Sequence, residues 1–262
     1  MKTNLNLALS LSGGAARGAY QIGVWQALYE NGFQNNIKVA TGSSVGAINA
    51  ALIAQGDLPK ALDLWTNSQP EEAFDQLREK PEEGYFGLVK DGLLNRGIRI
   101  DGLKKMLRNA LDEQEIRNSK IDFGLVVYNL TQRRGESFFQ EDIPNELLVE
   151  YIIGSASFPA FQSHQIGKNK YIDGGLYKIM PVDLTFQKPN IDLLIGIDVA
   201  EASKFLPLLW GMKRKYGEKL LYLRPSRPLP NPANFSAKAR AVQLEIGYHD
   251  GLRLAKYLST ST

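Results

Sequence analysis

The chain has 262 residues, and its 31 basic and 28 acidic side chains leave a net charge of +3. With 44% hydrophobic and 23% charged residues it fits a globular protein long enough to bury a substantial core. The mild charge gives no indication of nucleic acid, the lack of cysteine excludes disulfides, thiolate metal sites and cysteine nucleophiles, and two histidines argue against a histidine-rich metal centre. No metal or other cofactor is expected.

In chain order, Leu5, Leu7, Leu9 and Leu11 alternate with Asn4, Asn6, Ala8 and Ser10, a period of two that predicts a strand. The same alternation argues against a cleaved export signal, despite Lys2 and the small residues that follow. A glycine-rich turn leads into a helix from Ala16 to Glu30, stopped by Asn31-Gly32. A second strand, IKVATG, runs into the buried helix SSVGAINAALIAQG. Asp57 then caps a third helix, with Pro59 in its first turn. Two successive strand–turn–helix units indicate an α/β fold, with a parallel-rich central sheet covered by helices.

Further on, QPEEAFDQLREKPEEGYFG reads as a surface excursion, with LREKPEEGYFGLV a candidate lid. Asp101 is expected to cap GLKKMLRNAL, and IDFGLVVYNL reads as a strand. ELLVEYIIGSASFPAF reads as a helix stopped near Pro159, and a hairpin is expected around GKNKYIDGG. DLLIGIDV is another core strand, and FSAKARAVQLEIGYHDGLRLAKYL closes the chain as one or two helices. There is no repeat and no convincing linker, so residues 1–262 read as one domain. No uninterrupted apolar run reaches the length of about 18 residues that a membrane span needs, and a soluble, cytoplasmic protein is expected.

Alone, SGGAARG invites a dinucleotide reading, but the fingerprint's second glycine is replaced by Ala15 and the next strand ends without an acidic residue. That strand ends instead in Gly42-Ser43-Ser44-Val45-Gly46, a G-x-S-x-G pattern centred on Ser44 between a strand and a helix. Adjacent parallel strands would bring the first turn beside the second. The N–H groups of Gly13, Gly14 and Ala15 could then face an oxyanion formed by attack of Ser44 on a carbonyl. A serine nucleophile needs a group to take its proton. The order Ser44, Asp173 or Asp198, then His249 would suit a histidine-dependent α/β-hydrolase. However, His249 lies in a helical pattern, and His164 lies on an expected loop. Asp173, followed by Gly174 and Gly175, is the alternative: a carboxylate presented by a tight turn and paired directly with Ser44.

LSLSGGAARGAYQIGVWQAL, TGSSVGAINA and YIDGGLYKIMPV, in that order, resemble the patatin-like phospholipases, and the likeness extends over nearly the whole chain through GSASFPAFQS and the C-terminal helical end. The resemblance implies a three-layer α/β sandwich and a Ser–Asp dyad that hydrolyses lipid acyl esters through an acyl-enzyme. It carries Ser44 as nucleophile, Asp173 as its activating group, and the Gly13–Gly18 turn as oxyanion hole, braced by Arg17 and Gly18. Gly42, Gly46, Gly174 and Gly175 support these motifs. Ala15 stands where the family often has glycine, and its N–H serves if its φ is negative; the asparagine often found before the proline after Gly175 is missing. The implied partner is a lipid acyl ester.

Within KFLPLLWGMKRKYGEKLLYLRP, Leu208, Leu209 and Trp210 are candidates to enter a membrane boundary while Lys213, Arg214 and Lys215 meet anionic headgroups. Packing of the same segment into the core is the alternative. A catalytically silent lipid-binding relative and export without a cleaved signal also stay open.

Overall fold

The computed structural model of the protein describes residues 5–68, 70–73, 97–200 and 206–260; for residues 70, 71 and 206–210 it describes the backbone element alone. The candidate lid lies outside the described residues, as does most of the surface excursion.

An eight-stranded sheet forms the centre. It comprises β1 (Leu7–Leu11), β2 (Ile37–Ser43), β3 (Asp122–Asn129), β4 (Arg134–Phe139), β5 (His164–Ile166), β6 (Asn169–Asp173), β7 (Leu193–Ile197) and β8 (Leu220–Leu223). The strand order is β5-β6-β3-β2-β1-β7-β8, with β4 also paired to β3. From β3 to β8 that path is parallel, whereas β4, β5 and β6 pair antiparallel. The helices are α1 (Gly18–Glu30), α2 (Val45–Gln55), α3 (Leu58–Asn67), α4 (Asp101–Ala110), α5 (Leu148–Ser155), α6 (Leu206–Tyr216) and α7 (Ala237–Thr260), besides shorter turns.

The period of two in β1 sorts its side chains between two layers. Leu7, Leu9 and Leu11 enter the larger core with α1 and α2, whereas Ala8 enters a smaller core with Met180, Val182, Leu194 and Leu220. Helices therefore cover both faces, and β1 is buried along its whole length. On the larger face α7 is one continuous helix lying close along α1. A Cβ at Gly23 would stand 2.2 Å from the Leu244 carbonyl oxygen, and one at Gly247 2.1 Å from that of Tyr20.

Local signals place some ends and miss others. Asp57 caps α3 by accepting the Lys60 N–H at 2.9 Å. Asp101 does not cap α4: it is the first helical residue, and Ile100 occupies the cap. The expected loop histidine, His164, lies in β5, buried, with Nε2 2.7 Å from Glu150. The segment around Trp210 divides into α6 and the core strand β8, where Leu220 is buried. No helix among the described residues is long and apolar enough to cross a membrane.

Candidate active site

The glycine and serine turns leave the sheet at the carboxyl ends of the parallel strands β1 and β2, where open α/β sheets place their ligands. Leu11 of β1 lies opposite Gly42 of β2, which sets the glycine turn beside the serine turn. Ser43 of β2 lies opposite Val126 of β3, and the next residue, Val127, lies opposite Asp173 of β6. Adjacent residues of β3 thus fix the positions of both candidate catalytic segments.

Ser44 sits on the sharp turn into α2 with φ 57° and ψ −129°. Such a conformation costs a non-glycine residue about 1–3 kcal/mol and must be held by its surroundings. The flanking glycines show how closely the turn is folded. A Cβ at Gly42 would lie 2.0 Å from the Gly46 carbonyl oxygen, and one at Gly46 would lie 2.4 Å from that of Leu11. The Ser44 N–H donates to Ser155 Oγ at 3.0 Å, and that hydroxyl donates to the Val126 carbonyl at 2.7 Å. Ser155, the last residue of α5, was not among the expected site residues. Its stretch, GSASFPAF, shows only a run of small residues before Phe158-Pro159, and the contact depends on tertiary placement.

Ser44 Oγ donates to Asp173 Oδ2 at 2.6 Å, while Asp173 Oδ1 accepts the Gly175 N–H at 2.7 Å. The Asp173 N–H donates to the Ser157 carbonyl at 2.8 Å. Gly174 lies so close to β3 that a Cβ there would stand 2.1 Å from the Val126 carbonyl oxygen. Asp173 is 5% exposed, and burial pushes its carboxyl up to about 6, against the opposing pull of the Ser44 and Gly175 hydrogen bonds. A carboxylate of that kind is ionised at neutral pH yet a far better proton acceptor than a solvated aspartate.

The glycine turn differs from expectation in two ways. The Gly13 N–H donates to the Ile179 carbonyl at 2.9 Å, so Gly13 drops out of the expected set of oxyanion donors. The Gly14 and Ala15 N–H groups have no acceptor among the described residues, and both residues line the cavity that holds Ser44. Ala15 has φ +51°, not the negative value expected, and an L-residue pays about 1–2 kcal/mol for this left-handed conformation. Gly14 is required by space: a Cβ would stand 2.5 Å from Val199 Cγ2. Arg17, 9% exposed, braces the turn from behind through Nε to the Pro230 carbonyl at 2.9 Å and through a guanidinium nitrogen to that of Val199 at 3.4 Å. Gly18 lets the turn close on α2 and α3, since a Cβ would lie 2.5 Å from Val45 Cγ2 and 2.7 Å from the Trp65 ring.

The cavity has a volume of about 440 Å³, within the ordinary range of small-molecule sites. Ser44 and Asp173 meet a wall of Ile48, Phe158, Phe161, Ile179, Val199 and Phe235, an apolar lining suited to a hydrocarbon chain. Neither histidine lines it: His249 is exposed on α7, and His164 is held by Glu150. The histidine-dependent triad is therefore corrected, because no imidazole reaches Ser44 or Asp173. Asp198 turns elsewhere, accepting from Tyr222 and from the Ala200 N–H. Among the described residues no group of three acidic, histidine or cysteine side chains could hold a metal ion.

A strained serine bonded to a buried aspartate, beside a glycine turn at the carboxyl edge of a mostly parallel sheet, is the arrangement in hand. The model of the patatin-like phospholipases matches residues 9–186, and the chain belongs to that family. Among particular proteins, it is 26% identical over 197 residues to an uncharacterized protein of Acanthamoeba polyphaga mimivirus, covering 73% of this chain and 65% of that one. It is 24% identical over 203 residues to "Probable lipid hydrolase 463L" of Invertebrate iridescent virus 6, covering 72% and 67%. The structure of VipD from Legionella pneumophila shares the fold, with a TM-score of 0.56 at 16% identity over 97% of this chain and 67% of VipD. The chain spans about two-thirds of the length of these curated relatives.

Proposed function

We propose that the protein hydrolyses acyl esters of lipids, as a phospholipase A or lysophospholipase, with Ser44 as nucleophile and Asp173 as its base. The observation that carries this reading is the 2.6 Å hydrogen bond from Ser44 to a buried aspartate, opening onto an apolar cavity. Family membership supports the substrate class.

In the first half-reaction Ser44 Oγ attacks the ester carbonyl while its proton passes to Asp173 Oδ2. The carbonyl oxygen becomes an oxyanion, met by the Gly14 and Ala15 N–H groups and by the positive end of α2. Collapse breaks the bond to the leaving alkoxide oxygen, which takes the proton from Asp173 and departs as an alcohol or lysolipid. In the second half, water gives a proton to Asp173 and attacks the acyl-enzyme. Its collapse returns that proton to Ser44 Oγ and frees the fatty acid. One carboxylate thus serves both halves, which its raised proton affinity suits.

The test is hydrolysis of a soluble short-chain ester and of phospholipid by purified variants matched for folding by circular dichroism. Ser44→Ala is expected to lose more than about 10,000-fold in kcat, and Asp173→Ala a comparable factor. His249→Ala is expected to keep full rate. Activity retained by Ser44→Ala would overturn the assignment.

A further inference from the structure

We propose that the mouth of the cavity is a docking face for an anionic lipid bilayer, formed by the β3–β4 and β5–β6 connections together with residues 176–178. The proposal rests on the lipid-hydrolase reading and names the surface on which that site meets its substrate. The side chains of Leu208, Leu209 and Trp210, the other candidates for the apolar contact, lie outside the described residues.

Large apolar side chains are exposed at the cavity itself: Phe158 is 42% exposed and Leu176 57%, and both line it. Tyr177, next along the chain, is 45% exposed and lies over Gly135 of β4, where a Cβ would stand 1.9 Å from its ring. Leu130, at the end of β3, is also exposed. Burying hydrophobic side chains clustered around a cavity opening against a partner is favourable, and such exposed patches mark interaction sites.

The charges around these residues are basic. Gly135 is preceded by Arg133 and Arg134, both exposed. The Leu130 N–H donates to the Lys170 carbonyl, and the Lys170 N–H to Thr131 Oγ1, which brings the β5–β6 turn with exposed Lys168 and Lys170 against the end of β3. The Lys178 ammonium lies 5.1 Å from the centre of the Tyr177 ring. Among the described residues, Glu136, bonded to Arg134, and Asp183, near Lys178, offset this group. Asp183 also pairs with Lys215 at 3.0 Å, so the exposed Lys213–Lys215 cluster of α6 adjoins the same face.

Apolar and aromatic tips flanked by cations are the combination that partitions into an anionic interface: the tips enter the acyl boundary and the cations stay among headgroups. Docked in this way, the mouth opens directly onto lipid. An acyl chain can then pass from bilayer to cavity without crossing water.

The experiment measures sedimentation of the Ser44→Ala protein with phosphatidylcholine vesicles, with and without phosphatidylserine, so that binding is read apart from turnover. Partition should require phosphatidylserine and weaken with salt. It should fall about fivefold for each cation removed among Arg133, Arg134, Lys168 and Lys170. Leu176→Ser and Tyr177→Ser together should lower it about tenfold or more. In the catalytically intact background, Lys168→Glu with Lys170→Glu should lower phosphatidylserine-vesicle hydrolysis while leaving soluble-ester hydrolysis and melting temperature unchanged.

Unchanged partition on removing all four cations would overturn the proposal. So would partition lost with Lys213→Glu and Arg214→Glu but indifferent to Leu176→Ser and Tyr177→Ser. If wild type hydrolyses no ester at all, the catalytic reading fails, while vesicle binding still decides the face.

Discussion

Asp173 carries opposed demands on stability and chemistry. Its carboxyl is buried with its proton affinity raised to about 6, so the charged form that the proposed role as base requires is the form the fold holds less readily. The sign follows from the raised folded-state value. The group's stabilising contribution is complete below the unfolded value of about 3.8 and is lost as pH rises through about 6. At neutral pH the penalty amounts to about 3 kcal/mol at most. Asp173→Asn can keep both hydrogen bonds, with the Ser44 contact reversed, and carries no charge. It should therefore be inactive yet more stable than wild type above pH 6, by up to about 3 kcal/mol in urea denaturation. In wild type the acidic limb of kcat/KM should follow the same ionisation, with half-maximal activity near pH 6. A limb near pH 4, or an Asn variant no more stable than wild type, would contradict this account of the site.

At the scale of elements, the end of α5 grips both halves of the pair. Ser155 Oγ takes the Ser44 N–H and ties it to β3, and two residues on the Ser157 carbonyl takes the Asp173 N–H. Removing the Ser155 hydroxyl frees a strained turn to relax, and a displacement near 1 Å at a reacting atom costs about a hundredfold. Ser155→Ala should lose between about ten- and a hundredfold in kcat with KM unchanged, and Ser155→Thr should recover part of it. Equal kcat for Ser155→Ala and wild type, at equal folding, would rule the role out. The α1–α7 contact makes a separate demand. Gly247→Ala places a methyl against the Tyr20 backbone, so the helices must part at a cost of about 2 kcal/mol or more in unfolding free energy.

How much of this was legible in the sequence depends on the range of the interaction. Local apolar runs and turn residues give β2 and β3 to within one residue at each end, whereas the alternation from Asn4 starts β1 too early, since the strand begins at Leu7. Ser44, Asp173 and the flanking glycines stand out as candidates in the sequence because a sharp turn admits few residue types, and Gly42 and Gly46 do lie against backbone where no side chain fits. β4 and β8 went unread: RGESFF is half-polar and LLYL is four residues long, so each is a strand only because a neighbour pairs with it. The same range limit hid Ser155 and the capture of the Gly13 N–H by Ile179, which lies 166 residues along the chain.

Across the whole molecule, the sheet brings the ends of β1, β2 and β6 together, and Phe158, Leu176 and Ile179 line the cavity that opens there. Everything functional then depends on whether Ser44 is the atom donor to the acyl group. The most direct measurement is the intact mass of the protein after reaction with a long-chain alkyl fluorophosphonate, followed by peptide mapping. The account predicts one phosphonyl adduct, on Ser44, formed at the wild-type rate in His249→Ala, slowed at least about a hundredfold in Asp173→Asn and absent in Ser44→Ala. An adduct on any other residue, or equal labelling of Ser44→Ala, would contradict it.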